Sequence, residues 1–208
     1  MTARLAVENL ACVRGGRMLF KGISFALGAG DALLLTGPNG VGKSSLLRAV
    51  AGLLPVYAGK ADAQGRIALA DESPALDTRL PLARALGFWA GLDGTGDAGV
   101  SAALDAFNLA PLADVPVRML STGQRRRATL ARIHASAADI WLLDEPGNGL
   151  DTASLRLLET AIAAHRAAAV ALQHFAGQRI EPCLDRRVGQ PCQAVEPVVP
   201  GTVAAGAG

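Results

Sequence analysis

Nine consecutive residues, Gly37-Pro38-Asn39-Gly40-Val41-Gly42-Lys43-Ser44-Ser45, have the composition of an anion cradle. Their glycines let backbone N–H groups curl around an anion without Cβ clashes. A helix starting near Lys43 adds its positive N-terminal end. The spacing is G-x-x-x-x-G-K-S, the phosphate-binding loop pattern, and the apolar run Ala32-Leu33-Leu34-Leu35-Thr36 before it is a buried-strand candidate. Lys43 can reach the β- and γ-phosphates of a nucleoside triphosphate, and Ser44 can offer its hydroxyl to Mg²⁺.

A second group of acids suits the same chemistry. Ile140-Trp141-Leu142-Leu143-Asp144-Glu145-Pro146 is an apolar strand ending in two carboxylates, the Walker B pattern. Adjacent acids there are costly unless a cation or a water chain receives them. Asp144 would hold Mg²⁺, directly or through water, and Glu145 would position or deprotonate an attacking water. A helix N-cap at the strand end is the competing explanation.

The elements that must position these residues follow from periodicity. Strands are expected at 5–10, at 19–27 after the turn Arg14-Gly15-Gly16-Arg17, at 66–70, at 140–143 and at 168–172. The phosphate-loop helix should run over 45–53, with Leu46, Leu47, Val50 and Leu54 as its apolar stripe. Residues 55–65 look loop-rich. The span 80–138 is mostly helical: 82–90 and 100–107, split by the linker Asp93-Gly94-Thr95-Gly96-Asp97, then a helix after Ser121-Thr122-Gly123. Another helix covers 155–166, and the pattern dissolves from about 177.

Bulk composition bounds the function. The 208 residues are 50% hydrophobic, enough for one domain with a large core. A net charge of +2 and only 4% aromatic residues argue against nucleic acid as a partner. Met1-Thr2-Ala3-Arg4 does not lead into an apolar signal core, and no run approaches the ~18 apolar residues of a spanning helix. A soluble, cytoplasmic chain is expected. Cys12, Cys183 and Cys192 form no C-x-x-C pair, so disulfide and zinc roles are both weak, and Cys12 reads as a buried small hydrophobe.

In order, these motifs resemble those of the ATP-binding cassette (ABC) ATPases over residues 14–174. Leu120-Ser121-Thr122-Gly123-Gln124 is similar to the LSGGQ signature, with Thr122 in place of the first glycine. Small residues at a helix N-terminus can present N–H groups and the Ser121 hydroxyl to a γ-phosphate. The resemblance implies that Ser121, Gly123 and Gln124 do so for ATP held by a second copy. A helix cap explains Ser121 alone, but not its combination with Gln124 and Arg125-Arg126-Arg127; at least two of those arginines suit a solvated helix face. Gly149-Leu150-Asp151 resembles the D-loop, which contacts the partner subunit. His174 takes the place of the switch histidine that senses the γ-phosphate, a structural histidine being the alternative. His134 and His165 fit no motif and suit surface or packing positions.

Two residues depart from the family pattern. Glu72 stands where a Q-loop glutamine is usual. It could still contact Mg²⁺ or the water, or it could be a surface loop acid. Arg14 stands where an aromatic stacks on adenine, and a guanidinium plane can do the same.

The resemblance implies an α/β P-loop NTPase of the ABC ATPase fold. It would have a RecA-like parallel-sheet core, an antiparallel β-subdomain and an α-helical subdomain over about 76–138, within one domain spanning 1–176. Residues 177–208 would be loop or disordered tail. ATP and Mg²⁺ are the implied cofactors. Transmembrane ABC subunits and a second ATPase copy are the implied partners, with the chain peripheral on the cytoplasmic side of the inner membrane and no span of its own.

Within the family, the closest likeness is to ATP-binding subunits of the bacterial haem exporter used in cytochrome c maturation. It rests on Cys12-Val13-Arg14-Gly15-Gly16-Arg17, Phe88-Trp89-Ala90 and Leu112-Ala113-Asp114-Val115-Pro116-Val117. That group also tends to lack the Q-loop glutamine. Alternatives are the ATPase of another ABC transporter, a soluble non-transport ABC ATPase, or a non-hydrolysing regulator, against which Lys43, Asp144, Glu145 and His174 argue.

Overall fold

In the computed structural model, which describes residues 3–71, 73, 75–167, 169–174 and 194–195, the chain opens with a long hairpin. Arg4–Arg14 (β1) and Arg17–Gly28 (β2) pair antiparallel around Gly15 and Gly16, at φ 56° and 74°. A two-residue hairpin turn of the favoured hand needs positive φ at both positions. Ala32–Leu35 (β3) leads through the phosphate loop to Lys43–Val50 (α1). Ala58–Gln64 (β4) then returns to pair antiparallel with β1, giving a sheet of order β2-β1-β4. This corrects the loop expected at 55–65. The segment AGKADAQ has no β-branched or aromatic residue, so its local propensity is low. Pairing with β1 makes it a strand. The approach is close: Gly59, at φ 79°, has the carbonyls of Glu8 and Asn9 where a Cβ would lie. Those carbonyls belong to a bulge in β1 between Glu8 and Ala11.

The second sheet is parallel. Ile67–Ala70 (β5), Leu82–Asp93 (α2), Gly96–Ala106 (α3), Thr122–Ala135 (α4), Ile140–Asp144 (β6), Thr152–Arg166 (α5), Val170–His174 (β7) and Ala194–Val195 (β8) follow in the chain. The strand order is β5-β6-β7-β3-β8. β6 is buried at all five positions. Its side chains alternate between two cores: Trp141 and Leu143 face the cluster built on α2, α3, α4 and α5. Ile140 and Leu142 face the cluster with Leu33, Leu35, α1 and the hairpin. A sheet covered on both faces requires such an unbroken apolar run. Helices α2 and α3 are separated only by Gly94 and Thr95, so most of the linker expected at 93–97 is helical. Gly94 ends α2 at φ 76°, and Thr95 Oγ1 donates to Ala135 O at 2.7 Å, pinning the turn to α4. Of residues 177–208, Ala194–Val195 alone is described, beside β3.

Both motif-free histidines pack on Trp141. His165 stacks on its ring at 4.0 Å and His134 meets it edge-on at 6.2 Å. Burial holds the His134 imidazole below its ordinary value of 6.5. The unfolded chain therefore binds a proton at this residue more readily than the folded one, and stability falls as pH drops below about 6.5.

Two outcomes follow from the packing. His134→Phe should flatten the loss of stability between pH 7.5 and 5, read from denaturant midpoints at each pH; an unchanged slope would show that His134 does not titrate there. Gly59→Ala should lower unfolding free energy by about 1–3 kcal/mol, because backbone carbonyls cannot move aside for the methyl.

Candidate nucleotide-binding site

The phosphate loop meets α1 without a side-chain cap. Gly42 is the N-cap at φ 109°, and no acid occupies the first turn. Leu46 N donates to Gly42 O at 2.8 Å, so the amides of Lys43, Ser44 and Ser45 precede the first intrahelical bond. Together with the helix dipole these amides are able to receive an anion. A Cβ at Gly42 would lie 3.2 Å from Phe20 Cδ1, so glycine here also lets the loop rest on β2. Lys43 is 7% exposed. Its Nζ donates to Gly37 O at 2.6 Å and Pro38 O at 2.8 Å, which uses two of its three protons. Burial pushes the ammonium below the usual lysine value, while the carboxylates of Glu145 and Asp144 oppose the shift.

A cleft of about 290 Å³ opens on this loop. Asn39, Gly40 and the stretch from Gly42 to Ser45 form its floor, with Arg14 and Leu19 from the hairpin on one side and Glu145 on the other. At its edge Ser44 Oγ donates to Asp144 Oδ1 at 3.0 Å. Asp144 is 5% exposed. A hydroxyl and a carboxylate in contact are the hard oxygen donors that Mg²⁺ prefers. Among the described residues no three His, Cys, Asp or Glu side chains gather. Glu145 holds φ 47°, and Asn148 turns back to it: Asn148 N donates to Glu145 O at 3.0 Å, and its Nδ2 lies 3.4 Å from Glu145 Oε2.

The signature residues lie elsewhere. Ser121 N-caps α4, accepting from Gln124 N at 3.2 Å, while Ser121 N donates to Gln124 Oε1 at 2.8 Å. This reciprocal capping box accounts for both residue types by itself, against the expectation that a cap would explain Ser121 alone. None of Ser121, Gly123 and Gln124 lines this chain's own cleft. Gly123 sits against Gly149, whose carbonyl would be 3.6 Å from an added Cβ, so the signature and the D-loop segment are adjacent. Asp151 caps α5, accepting from Ser154 N at 2.7 Å, a bond that holds its carboxyl below the usual range.

The arginine run departs from expectation too, because Arg125 alone is exposed. Arg127 Nη1 donates to Phe107 O at 2.8 Å and Asn108 O at 3.2 Å. Arg126 reaches the carbonyls of Asp71, Asp144 and Glu145. These carbonyls come from segments far apart in sequence, so helical position alone did not reveal them. Asn148 was missed as well; its only signal is the three-residue spacing from Glu145. His174 ends β7, its backbone registered with both Leu35 and Asp144, which brings it to the edge where the two motif strands end. Its side chain and Glu72 lie outside the described residues.

The chain is similar to known proteins in sequence and in fold. A family profile described as ABC transporter matches residues 20–148. The cytochrome c biogenesis ATP-binding export protein CcmA of Sphingopyxis alaskensis is 55% identical over 179 residues, 85% of this chain and 92% of that protein. The protein of the same description from Rhodospirillum rubrum is 51% identical over 178 residues, 80% of this chain and 76% of that one. An ABC transporter ATP-binding protein of known structure from Pyrococcus furiosus superposes with TM-score 0.76 at 21% identity, covering 86% of this chain and 94% of its own, a likeness of fold.

Lys43→Ala tests the anion site. Losing charge-assisted contacts of about 1.5–3 kcal/mol should weaken binding of a non-hydrolysable ATP analogue roughly 10- to 100-fold, measured by calorimetry. Unaltered affinity would place the phosphates elsewhere.

Proposed function

The chain belongs to the ABC transporter family, and on that premise we propose that it is the ATP-hydrolysing subunit of the haem exporter of cytochrome c maturation. The contact between Ser44 Oγ and Asp144 Oδ1 at 3.0 Å carries the hydrolytic part of this reading. It joins the phosphate loop to the acid strand at the cleft that Lys43 and Glu145 also line.

In this reading the phosphates of ATP lie in the loop from Gly37 to Ser45, against Lys43 and the α1 amides. Arg14, at the hairpin end of the cleft, stacks on the base. Ser44 and Asp144 would hold Mg²⁺, with Glu72 as a further contact, and the ion would supply positive charge that neutralises the phosphates. Glu145 takes the proton of the attacking water, and His174 senses the γ-phosphate. Ser121, Gly123 and Gln124 serve the nucleotide of a second copy. Their place at the outer end of α4, apart from their own cleft, supports a head-to-tail pair of chains. Such a switch needs contacts present in one state only, and the shared γ-phosphate provides them.

Closure of the pair would drive membrane subunits, with this chain peripheral on the cytoplasmic side of the inner membrane. No helix among the described residues is long and apolar enough to cross a membrane. The cytochrome c part of the reading is supported by relatives 51% and 55% identical whose description is cytochrome c biogenesis ATP-binding export protein.

Glu145→Gln should lower hydrolysis by about 10²–10⁴-fold while ATP binding persists. Haem staining of c-type cytochromes in a deletion strain reads the cellular role. Loss of the bands, restored by wild type and not by Glu145→Gln, is the expected result. Normal bands in the deletion strain would leave an ABC ATPase serving another transporter.

A further inference from the structure

Arg126 does not line the nucleotide cleft, yet three backbone carbonyls converge on its guanidinium. Nη1 donates to Asp71 O at 3.0 Å, and Nη2 donates to Asp144 O at 2.8 Å and to Glu145 O. Asp71 directly follows β5, and its carboxylate pairs with Arg48 of α1 at 3.4 Å. One side chain of α4 thus ties together the ends of two neighbouring strands and, through Asp71, the helix behind the phosphate loop.

The conformation of Glu145 gives this contact its weight. At φ 47° a residue with a Cβ is in the left-handed region, which persists only where the surroundings impose it. Relaxation to ordinary β or α values would turn φ through about 100° or more and re-aim the Cα–Cβ bond. The carboxylate's direction is therefore fixed by whatever holds the backbone on both sides of it. Arg126 holds both of those carbonyls, Asp144 O and Glu145 O. A planar, permanently charged fork can serve three acceptors at once, where an ammonium on a flexible stem is a point charge.

We propose that Arg126 is a positioning residue for the Glu145 carboxylate, and that it makes the aim of that carboxylate depend on where α4 lies. The proposal rests on the reading of Glu145 as the general base. Helix α4 is continuous from Thr122 to Ala135, so a displacement at its Ser121 end is carried to the guanidinium one and a half turns away.

The test uses the full chain with the membrane subunits that co-purify with it. Arg126→Met keeps the aliphatic stem and removes the fork; Arg126→Lys keeps the charge without it and serves if the first variant does not fold. A misaimed base should cost about 10- to 100-fold in kcat. KM for ATP and affinity for a non-hydrolysable analogue should stay within about threefold of wild type. In single-turnover assays, Glu145→Gln combined with Arg126→Met should be no slower than Glu145→Gln alone. The proposal is overturned by a wild-type kcat, by a raised KM with kcat unchanged, or by losses that add in full. Wild-type turnover in Glu145→Gln would instead remove the general-base reading, and the positioning role with it.

Discussion

An apolar strand that ends in two acids can be buried only where something takes up their charge, and β6 meets that condition beside the phosphate loop, where Lys43 and Ser44 face its acids. Its four apolar side chains contribute about 6–12 kcal/mol gross before the cost of ordering the chain. That is enough to draw the whole strand inside, Asp144 included. An uncompensated carboxylate there would cost several kcal/mol. The Ser44 hydroxyl at 3.0 Å offsets part of that cost and joins the acid to the phosphate loop. Parallel pairing of β6 with β5 and β7 then brings Asp71, which follows β5, and His174, which ends β7, to the same edge. The site is where the sheet's charge and the loop's amides meet.

The two cores divide the work around that edge. The cluster under the hairpin packs against α1 and the base of the phosphate loop, with Gly42 resting on Phe20. The helical cluster grips the opposite face of β6 through Trp141 and Leu143. Among the described residues, arginines join the helices to the sheet through backbone carbonyls: Arg126 to the strand ends, Arg132 Nη2 to Leu69 O at 2.7 Å, and Arg66 to Asp93 O and Ala137 O. Backbone acceptors let the helices be registered on the sheet without fixing which side chains surround the nucleotide.

Legibility in the sequence followed the range of the interaction. The phosphate loop, the acid strand and α4 with its cap announce themselves within about ten residues, because glycine spacing, apolar runs and capping residues act locally. β4 did not, since its strand state comes from β1, a partner some fifty residues earlier. Arg126 and Arg127 looked like solvated charges because their acceptors are carbonyls on Asp71, Asp144, Phe107 and Asn108, and a carbonyl has no residue type to read. The linker at 93–97 looked longer than it is because two glycines flank Thr95, whose hydroxyl bond to Ala135 O compresses the turn.

The capping box at α4 has a consequence for what its serine can offer. Ser121 Oγ accepts from Gln124 N, and its own hydrogen is not needed for that bond. The lone pair facing the helix is engaged while the hydrogen can turn outward, so capping orients a donor rather than consuming it. Aspartate caps helices equally well, but an ionised carboxylate has no proton to give and would meet an incoming phosphate with like charge. At this position the fold accepts several residues, and donation to a phosphate, as proposed for Ser121, would narrow the choice to a hydroxyl.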